Sequence, residues 1–120
     1  MAAPNVVSLT SMFGKTDLMD VTTSATAITT CAADKLYKIN SLIVSNIDGT
    51  NNADITVDIF RGGVAYHLAS TITVPADATL VVVSKDMGIY LEEGDAIRCT
   101  ASANGDLQAS CSYEIIDDGV

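Results

Sequence analysis

From Asp17 onward the chain alternates apolar and polar positions in short runs, each ended by Gly, Asn, Asp or Pro. Ile55, Val57 and Ile59 fall on one side of their run, with Asp54, Thr56 and Asp58 on the other. Ile97, Cys99 and Ala101 alternate with Arg98, Thr100 and Ser102 in the same way. So do Leu107, Ala109, Cys111, Tyr113 and Ile115 with Gln108, Ser110, Ser112 and Glu114. A period of two is the signature of strands with one face buried and one in water. The pattern predicts strands near Asp17–Thr23, Thr26–Cys31, Tyr37–Asn46, Asp54–Arg61, Ala65–Val74, Thr79–Ser84, Ile89–Leu91, Ala96–Ala103 and Leu107–Ile116. Between them lie turn sequences such as Gly62-Gly63, Pro75-Ala76-Asp77 and Asn104-Gly105, whose residues accept positive φ or cap a turn. No window of a dozen residues keeps a helical period. The expected fold is all-β: one antiparallel β-sandwich, jelly-roll-like, of eight or nine strands over residues 17–120.

Two stretches break the alternation. Leu80-Val81-Val82-Val83 is apolar on both faces, which fits either a central strand or a strand whose outer face meets another subunit. Residues 1–16 hold no period of either kind and read as an extended N-terminal arm. The candidate assembly contacts are therefore Leu80, Val81 and Val83 on the strand, with Pro4, Val6, Val7, Leu9 and Phe13 on the arm. The last hairpin calls for a register. A two-residue loop at Asn104-Gly105 would set apolar residues opposite polar ones. A three-residue loop, Ala103-Asn104-Gly105, keeps the inward residues together and puts Cys99 opposite Ala109 and Cys111 opposite Ile97.

Composition narrows the function. The chain has 120 residues, enough for one domain, of which only 18% are charged. A charged fraction below the usual quarter fits either a Thr- and Ser-rich sandwich surface or apolar area held in a subunit interface. Formal charge is −9, and the six Lys and Arg residues form no cluster, so nucleic acid is not an expected partner. The same charge repels anionic lipid, and no apolar run approaches the roughly 18 residues of a membrane span. Residues 1–20 carry neither a basic nor an apolar leader region, so no secretory signal is expected. Cys31, Cys99 and Cys111 are odd in number and lack zinc spacing, which points to free thiols in a protein folded in a cytosol.

Candidate chemistry is sparse. His67 is the sole histidine and faces opposite to Tyr66 and Leu68, as a solvated sheet residue does. Without a nucleophile motif it makes a poor catalytic base, and no enzyme activity is expected. Glu92 and Glu93 would point to opposite faces of a strand, which suits no paired-carboxylate mechanism. Asp48, Asn52 and Asp54 offer oxygens near Gly49, but their spacing departs from the twelve-residue calcium loop and fits an Asx-rich turn. No metal and no cofactor is expected. A sugar-binding module, the rival from another functional class, needs exposed aromatic faces, and the chain has no Trp, two Phe and four Tyr.

Four segments carry a resemblance. They are Ala33-Asp34-Lys35-Leu36-Tyr37-Lys38-Ile39-Asn40-Ser41-Leu42-Ile43-Val44-Ser45-Asn46, Val74-Pro75-Ala76-Asp77-Ala78-Thr79-Leu80, Ile89-Tyr90-Leu91-Glu92-Glu93-Gly94-Asp95 and Ser112-Tyr113-Glu114-Ile115-Ile116. Together, in this order and spacing over residues 17–117, they resemble small virion structural proteins of tailed bacteriophages, notably cyanophage-type ones. The resemblance implies a virion component without catalytic residues. Its expected place is the outer surface of the particle, after synthesis in the bacterial host cytoplasm. Within that class the first expectation is a capsid decoration or cement protein that self-associates, as a trimer, on the major capsid protein or another virion protein. A neck, tail or fibre-attachment subunit is the second.

Overall fold

The computed structural model describes residues 11–117, arranged as nine strands in two antiparallel sheets. The first sheet has the order β1 (Ser11–Asp20), β9 (Leu107–Asp117), β3 (Leu36–Asn46) and β6 (Thr79–Val83). The short β7 (Ile89–Leu91) shares β3's far edge with β6, so β6 and β7 act as one strand interrupted by a 3-10 turn at Lys85–Met87. The second sheet has the order β2 (Thr26–Thr30), β8 (Ala96–Ala101), β4 (Ala53–Arg61) and β5 (Val64–Val74).

The antiparallel pairs β1·β9, β2·β8, β3·β6 and β4·β5 nest inside one another along the sequence. The chain is one long hairpin rolled into a jelly roll, with its tip at Gly62-Gly63. Both tip glycines take positive φ, 60° and 78°. A two-residue loop between Arg61 and Val64 needs this to match the strand twist.

The alternation places the core correctly. Ile39, Leu42, Val44, Ile55, Val57, Ile97, Cys99, Leu107 and Cys111 are buried between the sheets. Tyr37 and Tyr113 stack within it at 5.0 Å, and the Tyr113 hydroxyl donates to Asp17 at 2.7 Å. Three expectations need correction. First, β8 and β9 form no hairpin: they belong to different sheets, so Cys99 does not pair with Ala109, nor Cys111 with Ile97. Alternation tells which face a residue takes, and inward residues of facing sheets share it as readily as those of neighbouring strands. Second, the first strand starts at Ser11, so 11–16 is not an arm but half of an edge strand paired with Asp117 to Ser112. Its residues are exposed on both faces from Met12 to Thr16, which erases the alternation that would have marked it. Third, of the two readings open for Leu80–Val83 the central strand drops out, since the run lies on a sheet edge.

Candidate assembly surface

The outer face of the first sheet is built from rows that the strand registers define. One row runs Leu18, Ser110, Ile43, Val81, and the next Thr16, Ser112, Ser41. Neither row holds a charge. Leu18 is 76% exposed and Val81 55%, with Ile43 half-buried between them. An open depression of about 370 Å³ borders Leu18, Asp20, Ser45, Gln108 and Ser110. The charges of this face lie toward its ends. Asp20 accepts from Gln108 at 2.9 Å, and Glu114 accepts from the Asn40 amide at 3.1 Å.

The outer face of the second sheet is built differently. Arg98 donates to Asp58 at 2.9 and 3.2 Å and lies 4.0 Å over the Phe60 ring. His67 sits exposed opposite Asp58, whose carboxylate Arg98 already engages. This is an ion pair on a polar sheet face.

The sequence-derived contact residues divide accordingly. Val81 faces out and is free to meet a partner. Val83 is fully buried against Leu42, which removes it from any surface contact, and Leu80 is half-buried opposite the core residue Val44. A bulge at Val82 causes the switch in sense along β6. Phe13 lies on β1, 53% exposed at the overhanging flank. Pro4, Val6, Val7 and Leu9 lie outside the described residues. Leu18 and Ile43 were not singled out by sequence, because isolated apolar residues in polar runs carry no signal until the register aligns them.

A second apolar strip lies on the opposite flank. β5 is the edge of its sheet and carries no charged side chain. It exposes Val64, Tyr66, Leu68 and Ile72 by 37–58%. Ile59, Arg61 and Tyr66 line a depression of about 250 Å³ there. Arg61 is held at its rim by Asp95, through Nε at 2.8 Å and through its Nη2, and by Glu92 at 3.1 Å.

The remaining candidates have local tasks. Asp48 caps its own turn, accepting from the Thr50 and Asn51 amides at 2.8 and 3.2 Å. Those bonds hold its carboxyl below the usual range, whereas burial and the Asp48 charge push Asp106 upward. Asn52 accepts from the Ala76 amide and Asp54 from Thr73, so the three loop oxygens serve separate bonds. Among the described residues no group of three His, Cys, Asp or Glu side chains is placed to hold a metal. The three cysteines are free and buried. Burial pushes the Cys31 thiol up to about 11 and those of Cys99 and Cys111 to about 12. The exposed rings Phe13, Tyr66 and Tyr90 stand on three different strands. Among the described residues no helix is long and apolar enough to cross a membrane.

No family model matches the chain, and no curated protein matches its sequence. Among solved structures it is similar to a protein described in the work "Bacillus endospore appendages form a novel family of disulfide-linked pili". The TM-score is 0.54 and the identity 15%, over 89% of this chain and 87% of that one. It is more loosely similar to a pentameric capsid protein isolated from metagenomic phage sequences, in two crystal structures. Their TM-scores are 0.46 at 17% identity, over 86% of this chain but only 64% and 62% of theirs. At these identities the first likeness is one of fold, and the second is too loose to argue from.

Proposed function

We propose that this chain is a structural subunit of a tailed-phage virion, a decoration or cement protein that self-associates on the outer shell. The observation that carries the self-association is the charge-free band across the outer face of the first sheet, with Leu18, Ile43 and Val81 in one row. Four strands about 4.8 Å apart and a ten-residue strand of about 34 Å give the whole sheet face, its charged end rows included, roughly 650 Å². That is the scale of an ordinary interface, which covers about 800 Å² of accessible surface on each partner. The virion assignment rests on the four resembling segments, two of which run through the β5–β6 and β7–β8 turns. A trimer seated on local threefold positions is the assembly this reading predicts, with the acidic loops turned to solvent. No catalysis is assigned, since His67 faces solvent beside an ion pair that is already complete.

A neck, tail or fibre-attachment subunit is the second reading. The likeness to a pilus protein is a likeness of fold and does not choose between the two. Quantifying the chain in purified virions separates them: hundreds of copies support decoration, and a dozen or fewer support the neck or tail. Absence from virions, or specific capture on a glycan array, overturns the structural reading.

A further inference from the structure

We propose that residues 1–10 of one copy add as a short strand to the free edge of β5 in a second copy, along Val64–Leu68. The inference deepens the self-association reading and rests on it.

Every long sheet edge invites pairing, and most edges of this sandwich are guarded. β2 and β6 are five residues long, and β7 is three. β1 is long and regular, but it turns Lys15 and Asp17 toward the inner side, opposite Tyr113 and Cys111. An incoming strand would have to bury part of those charges. β5 is guarded over only half its length. Its register is disturbed near Leu68 and again before Ile72, where Thr71 takes a positive φ of 52°. From Val64 to His67 the pairing with β4 is regular and the strand has no charge. Here a free backbone edge stands beside exposed Val64 and Tyr66 and the depression at Ile59 and Arg61.

The occupant follows from the chain itself. Residues 1–10 contain no charged side chain, and in an extended strand Val7 and Leu9 share one face, with Val6 and Ser8 on the other. Val7 and Leu9 match the apolar side of β5, and Val6 and Ser8 match its Ala65 and His67 side. The segment joins the described strand at Ser11, paired with Asp117. That is the end where the Gly62-Gly63 turn and the start of β5 also lie.

Seated through Val7 and Leu9, it cannot be its own occupant. β1 packs over β2, while β5 packs under β6 on the opposite flank. The flanks are three strand spacings apart, about 14 Å. With Leu9 seated on β5, only Thr10 would link it to Ser11, and two residue steps span at most about 7 Å. A second copy meets no such limit. The contact joins two different surfaces of the same protein, so repeating it closes a ring or runs on as a filament.

Full-length protein tests this with single-cysteine additions, because the native thiols are buried. Leu9→Cys protein mixed with Val64→Cys protein and treated with a short bismaleimide is expected to yield 9–64 linked dimers, identified by mass spectrometry. The yield should be at least tenfold above a Thr26→Cys control on the opposite flank. Leu9→Asp is expected to weaken association at least tenfold at unchanged melting temperature. A 9–64 link formed only within one chain of the double variant overturns the proposal. So does a yield equal to the control, linkage to a different virion protein in preference, or unchanged association in Leu9→Asp. If Val81→Asp still breaks the assembly, the broader self-association reading survives that failure. A wild-type protein that is monomeric throughout removes both.

Discussion

Replacing Val81 with Asp probes the outer face of the first sheet without touching the core. Val81 is 55% exposed, on the order of 90 Å² for a partner to cover, or about 2 kcal/mol at 25 cal/mol/Å². The aspartate also brings a charge that must be desolvated in the contact, so each affected interface should weaken by about 3 kcal/mol or more, roughly two orders of magnitude in Kd. Folding should suffer little. Val81 points outward on a five-residue edge strand, where a change of β-propensity is worth less than about 1 kcal/mol. Val83→Asp is the informative contrast, because the neighbouring inward side chain is fully buried. That variant should unfold, not merely dissociate. Sedimentation velocity over a concentration series reads association, and thermal unfolding reads stability. An assembly unchanged in Val81→Asp, with the fold intact, refutes the assignment of this face.

Three further outcomes test the physical reading of the fold. Thr71 is β-branched at a φ of 52°, so Thr71→Asn, a residue that tolerates this region, should raise stability by about 1 kcal/mol and Tm by a few degrees. A lower Tm would mean that the Thr71 conformation is not strained. Asp95 is buried, and its carboxyl is held low chiefly by Arg61, so it stabilises the fold above the ordinary carboxylate pKa and loses that effect as pH falls through its own depressed value. Asp95→Asn should therefore cost about 2–3 kcal/mol at pH 7 in denaturant melts, with the difference shrinking in strong acid; a pH-independent difference would contradict the ion-pair account. Asp106 has the opposite sign. Burial and then the Asp48 charge raise its pKa, so its favourable contribution is present in acid and lost as pH rises through the raised value. Asp106→Asn should raise Tm at pH 7 and leave it unchanged near pH 2, and a lower Tm at pH 7 would sink the argument.

The inward residues and eight of the nine strands were legible to within two residues, because a two-sided environment leaves a period of two in the sequence. The same logic explains the misses. Residues 12–16 are paired into a strand but exposed on both faces, so their side chains record no period. The partner of β9 was illegible because a short Asn-Gly loop joins facing sheets as easily as neighbouring strands. Along β6 the bulge at Val82 reverses the sense of the side chains, and an unbroken apolar run hides where that reversal falls. Of the candidate surface, the apolar run Leu80–Val83 was legible, but not which of its residues faces out. The alignment of Val81 with Leu18 and Ile43 exists only in the registers of three strand pairs, which no local pattern encodes.

The distribution of charge connects the low charged fraction to assembly. Half of the fourteen acidic side chains among the described residues sit in the turns at the two ends of the sandwich. Asp34, Glu92, Glu93 and Asp95 meet at one end, where Asp34 N–H donates to Glu93 at 2.6 Å and Cys31 N–H to the Asp95 carbonyl at 2.8 Å. Asp48, Asp77 and Asp106 gather at the other, tied by bonds from Asp77 N–H to the Asp48 carbonyl and from Ile47 N–H to the Asp106 carbonyl. Such ends repel one another, which disfavours end-to-end stacking of free copies. The face of the first sheet, with its two uncharged rows, and the charge-free half of β5 meet no comparable barrier. A chain of net charge −9 can thus stay dispersed while free and still associate sideways, because its charges and its apolar contacts occupy different sides of one rolled hairpin.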